Sequence, residues 1–321
     1  MTTAIDHISA FVLEHPWATT RGFLATIVGI LADRRAGHAP DPELLAALAQ
    51  QRKALPQPRR GGGVAVIPIY GGLAPRLNLL SDMSGGATFD QLERQVREAV
   101  ADPQVKTLVF DVNSPGGNVA GATEFHRVLL KARAAKPAIA IANHLCASAA
   151  YWAMSAATRV VASPSALIGS VGVMTIYDDL SAAFEQRGIK RDVIAAGKFK
   201  GEAIGGPLSA EARGRIQALV DDAYARMTGD IAKGRGITPA AARAYTGDCI
   251  TAEAALEAGM IDEIATLEET LARLGVTTDT VPLTAATAQE PLAATAQELA
   301  ADALWCNAAL AECATLDLYP S

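Results

Sequence analysis

Residues 107–117 read TLVFDVNSPGG. Thr107–Val112 is a near-continuous apolar run, the pattern of a strand buried on both faces. Asn113, Ser114, Pro115, Gly116 and Gly117 then break it with a tight turn. A strand covered on both sides calls for a parallel sheet with helices packed against it, and the flanking sequence agrees. Upstream, Val64–Tyr70 is a short β-rich run closed by two glycines, and Thr88 followed by Gln91 resembles a capping box opening a helix through about Val100. Downstream the pattern gives a helix to about Ala134 and a strand at Ala138–Ala142 after Pro137. A helix from about Ser148, strands at Val160–Ala162 and Val171–Ile176, and a helix over Asp178–Gln186 follow. Strands alternating with helices imply an α/β fold with right-handed crossovers and a mainly parallel sheet.

Working outward, residues 1–60 form a helical N-terminal region in which Phe11, Val12, Phe23, Leu24, Ile27, Ile30 and Leu31 recur at roughly helical spacing. Pro56, Pro58 and the triple glycine at 61–63 link it to the next region, which spans 61–276. Late in that region Ser209 caps a long amphipathic helix with Ile216, Leu219, Val220, Ala223, Tyr224, Met227 and Ile231 at 3/4 spacing. Short helices near Pro239–Tyr245 and Ala252–Ala258 follow. Residues 277–321 are Ala-, Thr-, Gln- and Pro-rich, with the similar pieces TAQEPL and TAQELA, and read as a linker and weak terminal helix.

Composition narrows the function. Of 321 residues, 28 are Lys or Arg against 34 Asp or Glu, a formal charge of -6, and only 5% are aromatic. A nucleic-acid binder would show a basic face and stacking aromatics. Cys146, Cys249, Cys306 and Cys313 form no CxxC pair and read as reduced thiols, neither a disulfide frame nor a zinc site. The most apolar early stretch, Phe23–Leu31, is too short to span a bilayer and lacks a signal peptide's flanks, so a cytoplasmic protein without a membrane is expected.

Three small-residue turns follow strand signals: Ser114–Gly117, Cys146–Ala150 and Gly169–Gly172. In a parallel sheet such turns gather at the carboxyl ends of the strands, where ligands bind. The first can present N–H groups closely to a developing negative charge, as an oxyanion hole must, or serve as a plain turn into a helix. A phosphate loop would need a following Gly-Lys-Ser/Thr. The second puts Ser148 between small residues at a helix start, as an exposed nucleophile with the Ala149 N–H beside it or as an ordinary N-cap. A nucleophilic serine needs a base. All five histidines (His7, His15, His38, His126, His144) precede Ser148, so the order Ser, His, Asp is absent. Lysine is the other candidate, because a desolvated amine can be neutral near pH 7. Lys190, Lys198, Lys200 and Lys233 follow Ser148, and each also reads as a surface cation.

Four pieces in order carry a resemblance: DVNSPGGNV at 111–119, ASAAYWAMSAA at 147–157, LIGSVGVM at 167–174 and AGKFKGEAIGGPLSAEAR at 196–213. From about Val64 to Leu274 the chain resembles the signal peptide peptidase A family of serine peptidases, related to Clp protease and crotonase folds. The resemblance implies a repeated β-β-α superhelix over 61–276 and a Ser/Lys dyad, with Ser148 the nucleophile and Lys200 its general base. It also implies oxyanion donors at Gly117 and Ala149, with Gly116 less favoured, and Ser170 orienting the lysine amine. No metal or nucleotide cofactor is implied.

Membrane-bound members carry a transmembrane anchor and a tandem domain. The helical stretch EHPWATTRGFLATIVGILADRRAG (14–37) and the single domain instead resemble phage and prophage head-maturation proteases. That implies a homo-oligomer, a ring in which the lysine can reach a neighbour's serine. The substrates would be protein or peptide, including capsid, scaffold or the chain's own tail. The rival readings are a non-membrane quality-control or signal-peptide-degrading peptidase, a crotonase-like acyl-CoA enzyme, and a non-enzymatic assembly protein.

Overall fold

The computed structural model describes residues 12, 15–35, 58–75, 86–202, 204 and 206–276. The expectations for 36–57 and for the tail beyond 276 fall outside them. The apolar run Thr107–Val112 lies in strand β4, Thr107–Ser114, at the centre of the sheet, with Leu108, Val109, Phe110 and Val112 wholly buried. In chain order the other strands are β1 (Trp17–Thr19), β2 (Arg59–Gly61), β3 (Val64–Tyr70), β5 (Gly116–Asn118), β6 (Ala138–Ala147), β7 (Arg159–Ala162), β8 (Leu167–Gly169), β9 (Cys249–Thr251) and β10 (Glu263–Ile264).

Along the sheet the order is β10-β7-β6-β4-β3-β2, with β8 beside β6 and β9 beside β8. All pairs among β3, β4, β6, β7, β8 and β10 are parallel; β2 and β9 join antiparallel. The fold is thus mixed α/β with a mainly parallel sheet.

Helices cover both faces. One face packs on α2 (Phe89–Ala101), α3 (Ala122–Ala135), α4 (Ala149–Met154) and α6 (Ala210–Arg235) through residues such as Leu92, Phe125, Trp152 and Met227. On the other, Val66, Val109, Ile141 and Val161 meet Leu271 of α9 (Leu267–Arg273). The remaining helices are α1 (Arg21–Arg35), α5 (Ser181–Gln186), α7 (Pro239–Arg243) and α8 (Ala252–Glu257). Thr88 caps α2 by accepting from the Gln91 N–H, and Ser209 caps α6 by accepting from that of Ala212. The reciprocal capping box is found at Thr266 and Glu269 on α9 instead.

β6 is five residues longer than its pattern predicts, and that extension builds the site. Its register against β4 shifts after Val112, so that Asn113 faces Leu145 rather than Asn143. The first half of β6 pairs with β7 and the second half, Leu145–Ala147, with β8.

Two other expectations change. Val171–Ile176 is not a strand: the chain leaves β8 through Gly169 and Ser170, both at positive φ, and only Met174 makes a ladder bridge, with Trp17. The N-terminal pattern is helical in α1, but Trp17–Thr19 is a strand pairing with β5. Leu24, Ile27 and Leu31 of α1 bury together with Val12 and Trp17 against Met174 and Ile176.

His126, on α3, is entirely buried, and neither ring nitrogen has a hydrogen-bond partner. Its closest carboxylate oxygen, Asp230 Oδ1, is 4.0 Å from Nδ1. Burial penalises the imidazolium and holds the pKa down to about 4, against the opposing pull of Asp230. An unfolded histidine titrates near pH ~6.5, so the unfolded chain binds the extra proton first. The stabilisation from a neutral His126 is full above that pH and is lost as pH falls toward about 4. The shift corresponds to roughly 3 kcal/mol. Thermal melts of wild type and His126→Leu between pH 7 and 4 should show the variant's melting temperature falling less steeply with acid; parallel profiles would contradict this.

Candidate active site

Ser148 sits where β6 ends and α4 begins, with φ 54° and ψ -117°. Among the described residues only Ser148 and Ser170 are non-glycines with positive φ. Such conformations cost on the order of 1–3 kcal/mol and persist only where the surroundings over-determine them. Here the Ser148 N–H donates to Gly169 O at 2.7 Å, the Ser170 N–H to Asp248 O at 2.8 Å, and Ser148 O accepts from the Trp152 N–H at 2.7 Å. The α4 residues Ala149–Met154 are all fully buried, which seats the turn in the core. Ser148 does not cap α4 with its side chain; its Oγ donates instead, at 3.4 Å, to Gly172 O. The N-cap alternative thus describes the residue's position but not its hydroxyl.

The glycine turn meets this serine. Ser114 Oγ donates to Gly71 O at 2.7 Å and accepts from the Gly116 N–H at 3.2 Å, locking the corner. Gly116 adopts φ +94°, and a Cβ there would lie 2.3 Å from Ala18 O and 2.9 Å from both Ala147 O and Ala149 N. A Cβ on Gly117 would lie 1.9 Å from Leu73 O. Both glycines are therefore required by close backbone approach. The Ala149 N–H, in the first turn of α4, belongs to the donors that a helix leaves without intrahelical partners.

Gly116 thus lies against the backbone of Ala147 and Ala149, on either side of Ser148. Ser170 lies close by, lining a cavity of about 320 Å³ with Thr19, Arg21, Gly172, Met174 and Asp248. Lys200 is not brought to them. It is exposed, and no hydrogen bond joins it to Ser148 among the described residues. Lys198 is engaged elsewhere, in a 2.6 Å ion pair with Glu211. Sequence reading missed Ala18, Thr19 and Asp248; the β-prone Trp-Ala-Thr-Thr over 17–20 was the available signal.

Residues 131–280 match peptidase family S49. The chain carries a peptidase family S49 domain. Curated relatives include the capsid assembly protease C of Escherichia phage lambda, 29% identical over 63% of this chain and 46% of that protein. The head-tail preconnector protein GP5 of Enterobacteria phage P21 is 30% identical over 63% of this chain and 40% of its own length. Protease 4 of Salmonella typhi is 29% identical over 66% and 34%. The chain thus spans less than half the length of these relatives. A solved structure of the 1510-N membrane-bound stomatin-specific protease overlaps 65% of this chain and 82% of its own at 16% identity and a TM-score of 0.41. The S49 match spans Ser148, Ser170 and Lys200, while the glycine turn lies before it.

Gly117→Ala should be destabilising by about 1–3 kcal/mol or more, because its Cβ meets backbone that cannot rotate away. Gly214→Ala, in α6 with nothing within 4 Å of the added carbon, should stabilise by roughly 0.5–1 kcal/mol. Chemical denaturation of both variants checks the contrast, and equal midpoints would contradict it.

Proposed function

We propose that the chain is a serine endopeptidase working through an acyl-enzyme, and that it acts in phage or prophage head maturation. The observation that carries the reading is Ser148 held at positive φ beside the Ala149 amide and the Gly116–Gly117 turn. A hydroxyl so placed can attack a carbonyl whose oxygen the Gly117 and Ala149 N–H groups receive. The capsid assembly protease among the relatives favours protein substrates and this biological setting. Ser170, near the same point, is suited to orient the base.

The base in this reading is Lys200. It stands on an exposed stretch with Ile194 almost fully exposed at 99% and with Val193 and Ile204 also exposed. Leu219, in the first half of α6, is likewise exposed, at 62%. So much apolar surface on one stretch favours association of copies. In a homo-oligomer the segment can fold over a serine, its own or a neighbour's, and seat the amine. No described helix is long and apolar enough to cross a membrane, in keeping with a cytoplasmic setting. The Ala-rich stretch beyond 276 is proposed as one of the substrates.

Ser148→Ala should lower casein hydrolysis by several powers of ten with the melting temperature nearly unchanged. Activity within a few-fold of wild type would sink the assignment. Lys200→Met should abolish activity and Lys198→Met spare most of it; the reverse outcome would move the base to Lys198. A lysine base acts only when neutral, so the rate should rise with pH, and a flat profile from mildly acidic to alkaline pH would exclude either lysine.

A further inference from the structure

β1 lies between the two segments that flank Ser148. On one side it pairs antiparallel with β5, Trp17 facing Asn118, Ala18 facing Gly117 and Thr19 facing Gly116. On the other, Trp17 and Met174 exchange both backbone hydrogen bonds, at 2.7 and 2.9 Å. The β5 ladder continues at each end: the Thr20 N–H donates to Pro115 O at 3.0 Å and the Val119 N–H to Pro16 O at 3.3 Å. Hydrogen-bonded pairs alternate in an antiparallel ladder, so Ala18 and Gly117, midway between those two, are also such a pair. The Gly117 N–H therefore points at the Ala18 carbonyl oxygen. That same oxygen and the Ala149 nitrogen both lie against the position of the missing Gly116 Cβ.

The Ala18 carbonyl oxygen thus lies beside the two amides, of Gly117 and Ala149, that the proposed function assigns to the oxygen of a carbonyl under attack. An extended polypeptide binds by adding a strand to open sheet edges, with main-chain bonds supplying affinity. The edges beside Ser148 are those of Gly116–Asn118 and Met174, and this chain fills both itself. Ala18 and Ser148 have no exposed surface, and Thr19 is 2% exposed, its Oγ1 bonded to Pro115 O. Trp17 and α1 anchor the strand through their apolar cluster, and Arg21 ties its end to Asp248 at 2.8 Å.

We infer that Pro16–Thr20 is an internal occupant of the substrate slot. It lies as a substrate would, with Ala18 at the residue preceding the scissile bond, and keeps the chain latent until another polypeptide displaces it. This rests on the peptidase reading above. The methyl of Ala18, fully enclosed, also assigns the slot a preference for a small residue at that position. The strand is held uncut because Lys200 is not seated at the serine.

The test measures the rate at which a fluorophosphonate labels Ser148 in the full chain, with Ser148→Ala as the blank. Ala18→Pro removes an N–H from the β1–β5 ladder and should speed labelling roughly tenfold or more, by raising the fraction of chains with an open slot. Should that variant fail to fold, Thr20→Cys with Pro115→Cys decides the matter. A hydrogen-bonded antiparallel pair holds its Cα atoms about 5.5 Å apart, within disulfide reach. Oxidation should lock the strand and slow labelling, and reduction of the same protein should restore it. Equal labelling rates in wild type, Ala18→Pro and the oxidised and reduced pair would overturn the inference while leaving the peptidase reading intact. Mass spectrometry showing wild type cut between Ala18 and Thr19 would also overturn latency. No labelling above the blank in any form would overturn both readings.

Discussion

The hydrogen bond from the Ser148 N–H to Gly169 O holds the arrangement together. It ties the end of β6 to the end of β8 and fixes a serine in a backbone conformation it would otherwise avoid. A strand that simply ran on would turn its next side chain to a sheet face. The positive φ instead lifts Ser148 out of the strand direction and sends the chain directly into α4. Everything nearby serves that corner. The β4–β6 register shift carries β6 past β7 to reach β8, and the enclosed Ala149–Met154 turn gives the strained residue no room to relax.

Much of this was legible in the sequence because its causes are local. The apolar run at Thr107–Val112 states that β4 is covered on both faces. The Gly116–Gly117 pair marks a place where backbone approaches backbone, and the distances from an added Cβ give the physical reason. Ser148 and Ser170 both stand out in the sequence, and they are the two described non-glycine residues at positive φ. S49 kinship agrees with the resemblance read from four motifs.

What was not legible depends on distant partners. The extra length of β6 arises from a register shift that no periodicity encodes. The extended stretch after Ser170 reads like a strand, yet its ladder partner is Trp17, more than a hundred residues earlier. Trp17–Thr19 itself is too short to stand out beside the longer helical pattern that follows it. Leu219 of the α6 apolar stripe stays 62% exposed, because amphipathic spacing says only that a face wants cover. Lys200 belongs to the same class: its chemistry is readable from its type, while its place beside a serine depends on how an exposed segment settles.

The proposed function makes acyl transfer to Ser148, a hydroxyl held in a strained turn, the central event. Incubation with a p-nitrophenyl acyl ester, followed by rapid quenching and peptide mapping, observes that event directly. The account predicts a burst of nitrophenol matched by an acyl group on the peptide containing Ser148. An acyl group found only on another residue, such as the half-buried Cys249, or a burst without any adduct, would contradict it.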